Sequence, residues 1–262
     1  MKTFVIVGCG RLAGVIVEAV VKGLLPEYDL IGVYSRTAAK AERIAGQMRN
    51  AGRACAVCES VEKLLALKPD ILVETASPAA LREWAVPTLK NGTSIVTLSI
   101  GALADDAFYR EVSAVAKENG TRIYIASGAT GGFDVLRTAA LMGGASARFF
   151  NEKGPDALKG TPVYTDSLQT EQKIVFSGNA AEAIRLFPTK VNVTVAASRA
   201  SVGPEAMHVT IQSTPGFKGD TQRVEIKNEQ VRAVVDVYSA TAEIAGWSVV
   251  NTLLNIVSPV VF

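Results

Sequence analysis

The sequence predicts an α/β protein, a doubly wound parallel sheet joined to a second α+β domain with a mixed sheet. Three observations carry this reading. Residues 3–8, TFVIVG, form a continuous apolar run that ends in glycine, the pattern of a strand buried on both faces of a parallel sheet. Up to about residue 130, short apolar runs alternate with helical patterns, which implies right-handed crossover units. Beyond that point the segments are mostly strands, and strand-rich sequence appended to a wound sheet marks a second domain.

The elements follow in order. RLAGVIVEAVVKGL has helical spacing and DLIGVYS reads as a strand. A polar helix over 37–50, a strand near 54–58, a helix over 60–67 and the strand DILVETA at 70–76 continue the alternation. The helix AALREWAVPTLKNG leads to the strand SIVTLSI, a helix over 105–118 and the strand RIYIAS at 122–127. GGFDVLRTAALMGG is then a helix, followed by the expected strands ARFFNE, KIVFSG, KVNVTVAAS, AMHVTIQST, TQRVEIK and VRAVVDVYS, with the helix NAAEAIRLFP among them. The expected domains are 1–130, dinucleotide-binding, and 131–239, for substrate and oligomerisation, with helix at 240–262 packing back on the first.

Bulk properties narrow the function. The 262 residues, 48% of them hydrophobic, can fill a substantial core. With 27 basic against 25 acidic residues the net charge is +2, so no overall field recruits nucleic acid or an anionic membrane. The apolar run at the start is too short for a signal peptide, and the C-terminal apolar region is interrupted by Ser248, Asn251, Thr252, Asn255 and Pro259. Three cysteines make no disulfide framework, and the expected compartment is the cytoplasm. Cys55 and Cys58 spell C-x-x-C, but one further Cys and a single His supply no matching ligand pair, so no metal is expected.

GCGRLAG supplies Gly8, Gly10 and Ala13, a G-x-G-x-x-A between a strand and a helix. The first glycine permits the tight turn, the second lets the backbone approach a pyrophosphate, and the small third residue allows close helix packing. Such a fingerprint opening a wound domain identifies a Rossmann fold, with Gly8, Gly10, Arg11 and Leu12 at the cofactor. At the end of the second strand, where an NAD site usually has a carboxylate, the chain offers Ser35 and Arg36. A hydroxyl and a guanidinium suit a 2′-phosphate, so NADP is the expected cofactor and NAD the alternative. Lys40 and Arg43 are expected on a solvated helix face.

SGATGGFDVLRTAAL, with VETASP at 73–78, SIGALAD at 99–105, ALKGTP at 157–162, FSGNAAEAIRLFP at 176–188 and VNV at 191–193, resembles the L-aspartate dehydrogenase family in segments of the right order up to about residue 195. The resemblance implies hydride transfer between a nicotinamide and the α-carbon of a small amino or imino acid, aspartate and iminosuccinate in the family, by a homodimer. It places Ala76, Ser77, Ala129 and Asn192 at the cofactor and Thr130 and Gly131 at the substrate. Asn192 also reads as a strand residue satisfying a neighbouring backbone, and Asp134 as a helix first-turn carboxylate.

The family's catalytic His falls on position 222, thirty residues on from Asn192, where this chain has Gln222 before a matching VEI. An amide hydrogen-bonds but does not exchange a proton near neutral pH. The single histidine, His208, alternates with Met207 and Val209 and is expected on the polar face of its strand. The family's Asn-Pro-Lys-Thr-Ser segment has no counterpart in SATAEIAGWSVVNTLL, and Arg199 stands where the family has an apolar residue. Arg199 is either a partner for a substrate carboxylate or a surface strand charge. Two functions follow: an NAD(P)-dependent oxidoreductase with Gln222 in the catalytic position, or a catalytically impaired homologue that binds NADP as a sensor.

Overall fold

The apolar run at the start forms β1 (Lys2–Val7), with Phe4, Val5 and Ile6 wholly shielded from solvent. Burial is complete because both faces are covered. On one side lie α1 (Arg11–Val21) and α2 (Ala38–Asn50), whose Ala13, Ile16, Ile44 and Met48 join Phe4 and Ile6 in one core. On the other lies α3 (Val61–Leu65), whose Val61 and Leu64 meet Val5, Val7 and Leu72. The computed structural model describes residues 1–262 and divides them into two compact units, Met1–Ala126 with Ala245–Phe262, and Ser127–Ile244.

In the first unit β2 (Tyr28–Tyr34), β3 (Ala56–Val57), β4 (Ile71–Glu74), β5 (Ser94–Thr97) and β6 (Ile123–Ile125) join β1 in the order β3-β2-β1-β4-β5-β6. All pairings are parallel. α4 (Pro78–Lys90) and α5 (Asp106–Glu118) supply two of the crossovers. The chain winds outward from β1 through β2 and then outward again from β4, so the strand order reverses between β1 and β4. A doubly wound sheet opens its ligand crevice at such a switch point, outside the carboxyl ends of the strands.

The C-terminal helix α9 (Glu243–Val257) belongs to this core. Its Val249, Val250 and Leu253 are buried with Phe4 and Tyr28, and Tyr28 Oη donates to the Leu253 carbonyl at 2.8 Å. Gly246 permits the close approach, since a Cβ there would lie 2.8 Å from Val15 Cβ.

The second unit is a five-stranded mixed sheet in the order β11-β10-β7-β9-β8. Its strands are β7 (Ser146–Lys153), β8 (Lys173–Asn179), β9 (His208–Ser213), β10 (Asp220–Lys227) and β11 (Arg232–Ser239). Only β7 and β9 run parallel. Phe149, Val209, Ile211, Val224 and Ile226 share a core with residues of the helices α6 (Phe133–Leu141), α7 (Ala180–Leu186) and α8 (Asn192–Arg199).

One expected strand is a helix. VNVTVAAS alternates like a strand, but Thr194, Val195, Ala197 and Ser198 also fall at helical spacing and are buried that way in α8. A short segment fits both periods. The preceding NAAEAIRLFP does form α7, where Asn179 accepts from Glu182 N and the Glu182 carboxylate accepts from Asn179 N.

Candidate active site

In the first unit the turn after β1 meets the turn after β4. Gly8 adopts φ +96°, and a Cβ on it would lie 2.7 Å from the backbone of Ala76, so both the conformation and the space require glycine. Thr75 ties the turns together, its N–H donating to Val7 O at 2.9 Å and its hydroxyl to Gly8 O at 2.7 Å. A Cβ on Gly10 would meet nothing within 4 Å, and Gly10 caps α1 without a side-chain bond to the helix's first N–H groups. Open space over the second glycine beside uncapped helix N–H groups fits a pyrophosphate.

These turns border a cavity of about 320 Å³, which Gly8, Gly10, Ser35, Arg36, Ala76 and Ser77 all line. Arg11 and Leu12 lie in the first turn of α1 and are not among the lining residues. Thr37, Lys40, Glu83 and Trp84, which sequence reasoning did not assign to a ligand, also line it. Lys40 is therefore a cavity cation. Lys40 and Arg43 are both exposed, as a solvated helix face requires, and Arg43 Nη2 in addition donates to the carbonyls of Cys9 at 3.2 Å and Gly10 at 3.3 Å. The guanidinium holds the glycine turn from outside. Burial pushes the Cys9 thiol in that turn up to about 11, so it is not a thiolate near neutral pH.

Beneath the turn after β4 lies a carboxylate that the sequence reading did not single out. Glu74, 1% exposed at the end of β4, accepts through Oε1 from Ala76 N at 2.7 Å, Ser77 N at 2.9 Å and Ser99 Oγ at 2.9 Å, and through Oε2 from Thr97 Oγ1 at 2.7 Å. It joins two cavity-lining residues to the end of β5. Burial raises its pKa above the ordinary carboxylate value, against the four donors. Ser77 in turn accepts from Ala80 N and caps α4.

In the second unit SGATGG is a turn between β6 and α6. Gly128 and Gly132 both take φ +66°. A Cβ on Gly128 would lie 3.2 Å from Val193 Cγ2 in the first turn of α8, and one on Gly132 2.5 Å from Val235 Cγ2 on β11. Ala129 is half-buried beside Gly131, and Thr130 is buried with a hydroxyl that has no partner in the chain. Asn192 opens α8 and Arg199 closes it, so the two lie about 10 Å apart along the axis at 1.5 Å per residue. Both were expected on a strand.

Gln222 lies on β10 and is 4% exposed, on the same face as the buried Val224 and Ile226. Its neighbours are polar. Opposite it on β7 is Asn151, and opposite Asp220 is Lys153. Asn151, Lys153 and Gln222 are each at least 94% buried, and all three donate to the Asp220 carboxylate. His208 is exposed on the other face, with Nε2 3.3 Å from Ser177 Oγ, beside a concavity it shares with Arg148, Thr210 and Arg223.

Residues 134–256 match the family model described as "Aspartate dehydrogenase, C-terminal", and residues 8–126 match "Homoserine dehydrogenase, NAD binding domain". The chain is 31% identical over 267 aligned residues to the L-aspartate dehydrogenase of Methanocella arvoryzae, covering 97% of this chain and 96% of that protein. The chain belongs to the L-aspartate dehydrogenase family. The L-aspartate dehydrogenase of Methanococcus maripaludis is 28% identical, with 97% of each chain covered. The crystal structure of aspartate dehydrogenase from Thermotoga maritima superposes with a TM-score of 0.80 at 25% identity, covering 100% of this chain and 99% of that one. As a member of the aspartate dehydrogenase family, the chain is an NAD(P)-dependent oxidoreductase of the amino-acid dehydrogenase type. No helix is long and apolar enough to cross a membrane.

Proposed function

We propose that this protein is an NADP-preferring dehydrogenase of a small amino or imino acid, aspartate or a related substrate, suited to reducing an imine. The observation that carries the reading is the amide of Gln222, in the family's catalytic position, among buried polar side chains with no histidine beside it. In this reading the cavity of the first unit takes the dinucleotide. Gly10 leaves room for the pyrophosphate, while Ser35, Arg36 and Lys40 take the 2′-phosphate. Arg43 and Glu74 hold the turns beneath it. The family resemblance assigns Ala129 and Asn192 to the cofactor and Thr130 and Gly131 to the substrate, and Arg199 is proposed as a partner for a substrate carboxylate. When bound, the nicotinamide supplies or accepts a hydride at its C4. Gln222 binds and orients the reacting nitrogen but moves no proton. A preformed iminium is already electrophilic and needs less acid assistance than oxidative deamination, which favours reduction.

The second reading, a chain that binds NADP as a sensor without turnover, is favoured by the same glutamine. One panel separates them. NADPH and NADH are titrated by fluorescence, and turnover is then followed with L-aspartate and with oxaloacetate and other 2-oxo acids plus ammonium. Tight NADPH binding without turnover on any of them would establish the sensor, and NADH preference would remove the role given to Ser35 and Arg36. A homodimer in the cytoplasm completes the proposal, and light scattering on the purified chain tests its mass.

A further inference from the structure

Asp220 accepts from three buried side chains. Lys153 Nζ lies 3.0 Å from Oδ2 and 3.2 Å from Oδ1, Asn151 Nδ2 lies 2.6 Å from Oδ1, and Gln222 Nε2 lies 2.6 Å from Oδ2. The register of β7 and β10 produces this convergence. Asp220 pairs with Lys153 and Gln222 with Asn151, so all four side chains project from one face of the sheet. Toward the other end of the same face the corresponding positions hold Phe149, Val224 and Ile226. A polar corner on an otherwise apolar face is costly to bury unless it does something with its hydrogen bonds.

The chemistry of the corner fixes the orientation of its amides. A carboxylate only accepts, so the atom of Gln222 that faces Asp220 is the NH₂ group, and the same holds for Asn151. Asn151 also gives an N–H to the Thr221 carbonyl at 2.8 Å, which fixes its orientation a second time. The carbonyl oxygens of both amides are left over. Neither receives a hydrogen bond from the chain, and neither is sealed from solvent. Lys153 balances the charge of Asp220, so the corner presents acceptors without presenting a net charge.

We infer that Asp220, with Lys153, is a positioning pair that holds the amides of Gln222 and Asn151 with their oxygens outward, as an acceptor site for the N–H groups of an ammonium or iminium on the substrate. The inference rests on the proposed amino-acid dehydrogenase reading and deepens it. It explains how a chain without the histidine selects nitrogen at the reacting carbon. An amine or iminium brings two or three donors to these oxygens, whereas the ketone of a 2-oxo acid brings none and faces them with its own lone pairs. The selectivity lies in the orientation of the amides, and that orientation is set by Asp220.

The test uses two ligands that differ at the nitrogen, L-aspartate and succinate, titrated calorimetrically into the full-length protein with NADP⁺. The readout is the ratio of their dissociation constants, which a general loss of folded protein does not move. The wild type binds aspartate more tightly. Gln222→Met removes one acceptor and lowers the preference about ten- to a hundredfold, the range for a hydrogen bond to a charged group. Asp220→Asn alone leaves Lys153 buried without its partner and is prone to misfold, so the second variant is the neutral pair Lys153→Met with Asp220→Asn. There the amides are free to turn, and the preference for aspartate falls by a similar factor although Gln222 and Asn151 are unchanged. A wild-type ratio near one, or a ratio unmoved in both variants, overturns the inference. Hydride transfer is followed in parallel. Discrimination without turnover would sink the proposed activity alone, and turnover with an unmoved ratio would sink this inference alone.

Discussion

Replacing Gln222 by His places an imidazole where the family resemblance puts one, and the structure sets what that imidazole would feel. The amide nitrogen of Gln222 lies 2.6 Å from Asp220 Oδ2, and the same oxygen lies 3.0 Å from the Lys153 ammonium. A lone carboxylate about 4 Å away would favour imidazolium by up to about 4 kcal/mol at an effective dielectric of 20. Lys153, bound to the same carboxylate, and the burial of position 222 both oppose this, so the contributions offset one another. The new imidazole is therefore expected to titrate near its ordinary value of about 6.5. As a base it works only when neutral. Aspartate oxidation by the variant should then rise with pH through about 6.5 and level off, a limb that the wild type has no histidine to produce at this position. The gain in kcat/KM on its plateau should be about 100- to 10,000-fold, the usual contribution of one general base. Steady-state rates of dinucleotide reduction between pH 5 and pH 9 give both numbers. A folded variant that binds the dinucleotide but shows neither the gain nor the limb would refute the assignment of position 222 to the chemistry.

Other perturbations test the first unit. Arg36→Ala should weaken NADPH binding about tenfold or more while leaving NADH unchanged, because only the 2′-phosphate loses a partner; equal losses would show that Arg36 does not read that phosphate. Arg43→Met removes the bonds to Cys9 O and Gly10 O and should weaken both dinucleotides alike by about three- to tenfold, which the same fluorescence titration separates from the Arg36 pattern. Gly8→Ala forces a side chain into φ +96° against the Ala76 backbone and should cost about 2 kcal/mol or more in urea denaturation, and an unchanged midpoint would contradict the packing of the two turns. The folded pKa of Glu74 is raised, so the stability it contributes is fully present below its unfolded value of 4.5 and is lost as pH rises through the folded value. Relative to Glu74→Gln, the wild type should therefore lose stability on going from pH 4.5 toward neutrality, by at most about 1.4 kcal/mol per pH unit, and a difference that grows in the wild type's favour would reverse the sign.

The parallel sheet was legible because each buried strand is a continuous apolar run and each crossover helix has its own period. The segment 191–198 was not, because Val191, Val193 and Val195 alternate while Val191, Thr194, Val195 and Ser198 also follow a helical stripe, and only packing decides between them. Glu74 left a trace that went unused, a carboxylate closing a strand otherwise apolar on both faces. Lys153 and Asn151 left one too, since the alternation of β7 puts them on the face of Phe149. Their meeting with Asp220 was beyond any local pattern, because it depends on a register joining segments nearly 70 residues apart. The hold of Arg43 on the glycine turn was not legible for a related reason. Its helix face reads as solvated, and the acceptors that hold it are backbone carbonyls, which leave no mark in a sequence.

The place of α9 has a consequence for how the chain is made. Tyr28 and Leu253, joined by a hydrogen bond, are 225 residues apart, and the whole of Ser127–Ile244 is synthesised between them. A ribosome that has delivered residue 244 has released every residue of the second unit, while the first still lacks the helix that covers Phe4 and Tyr28. The earlier-translated unit is thus completed last, and during elongation its exposed apolar face would be the surface a chaperone meets.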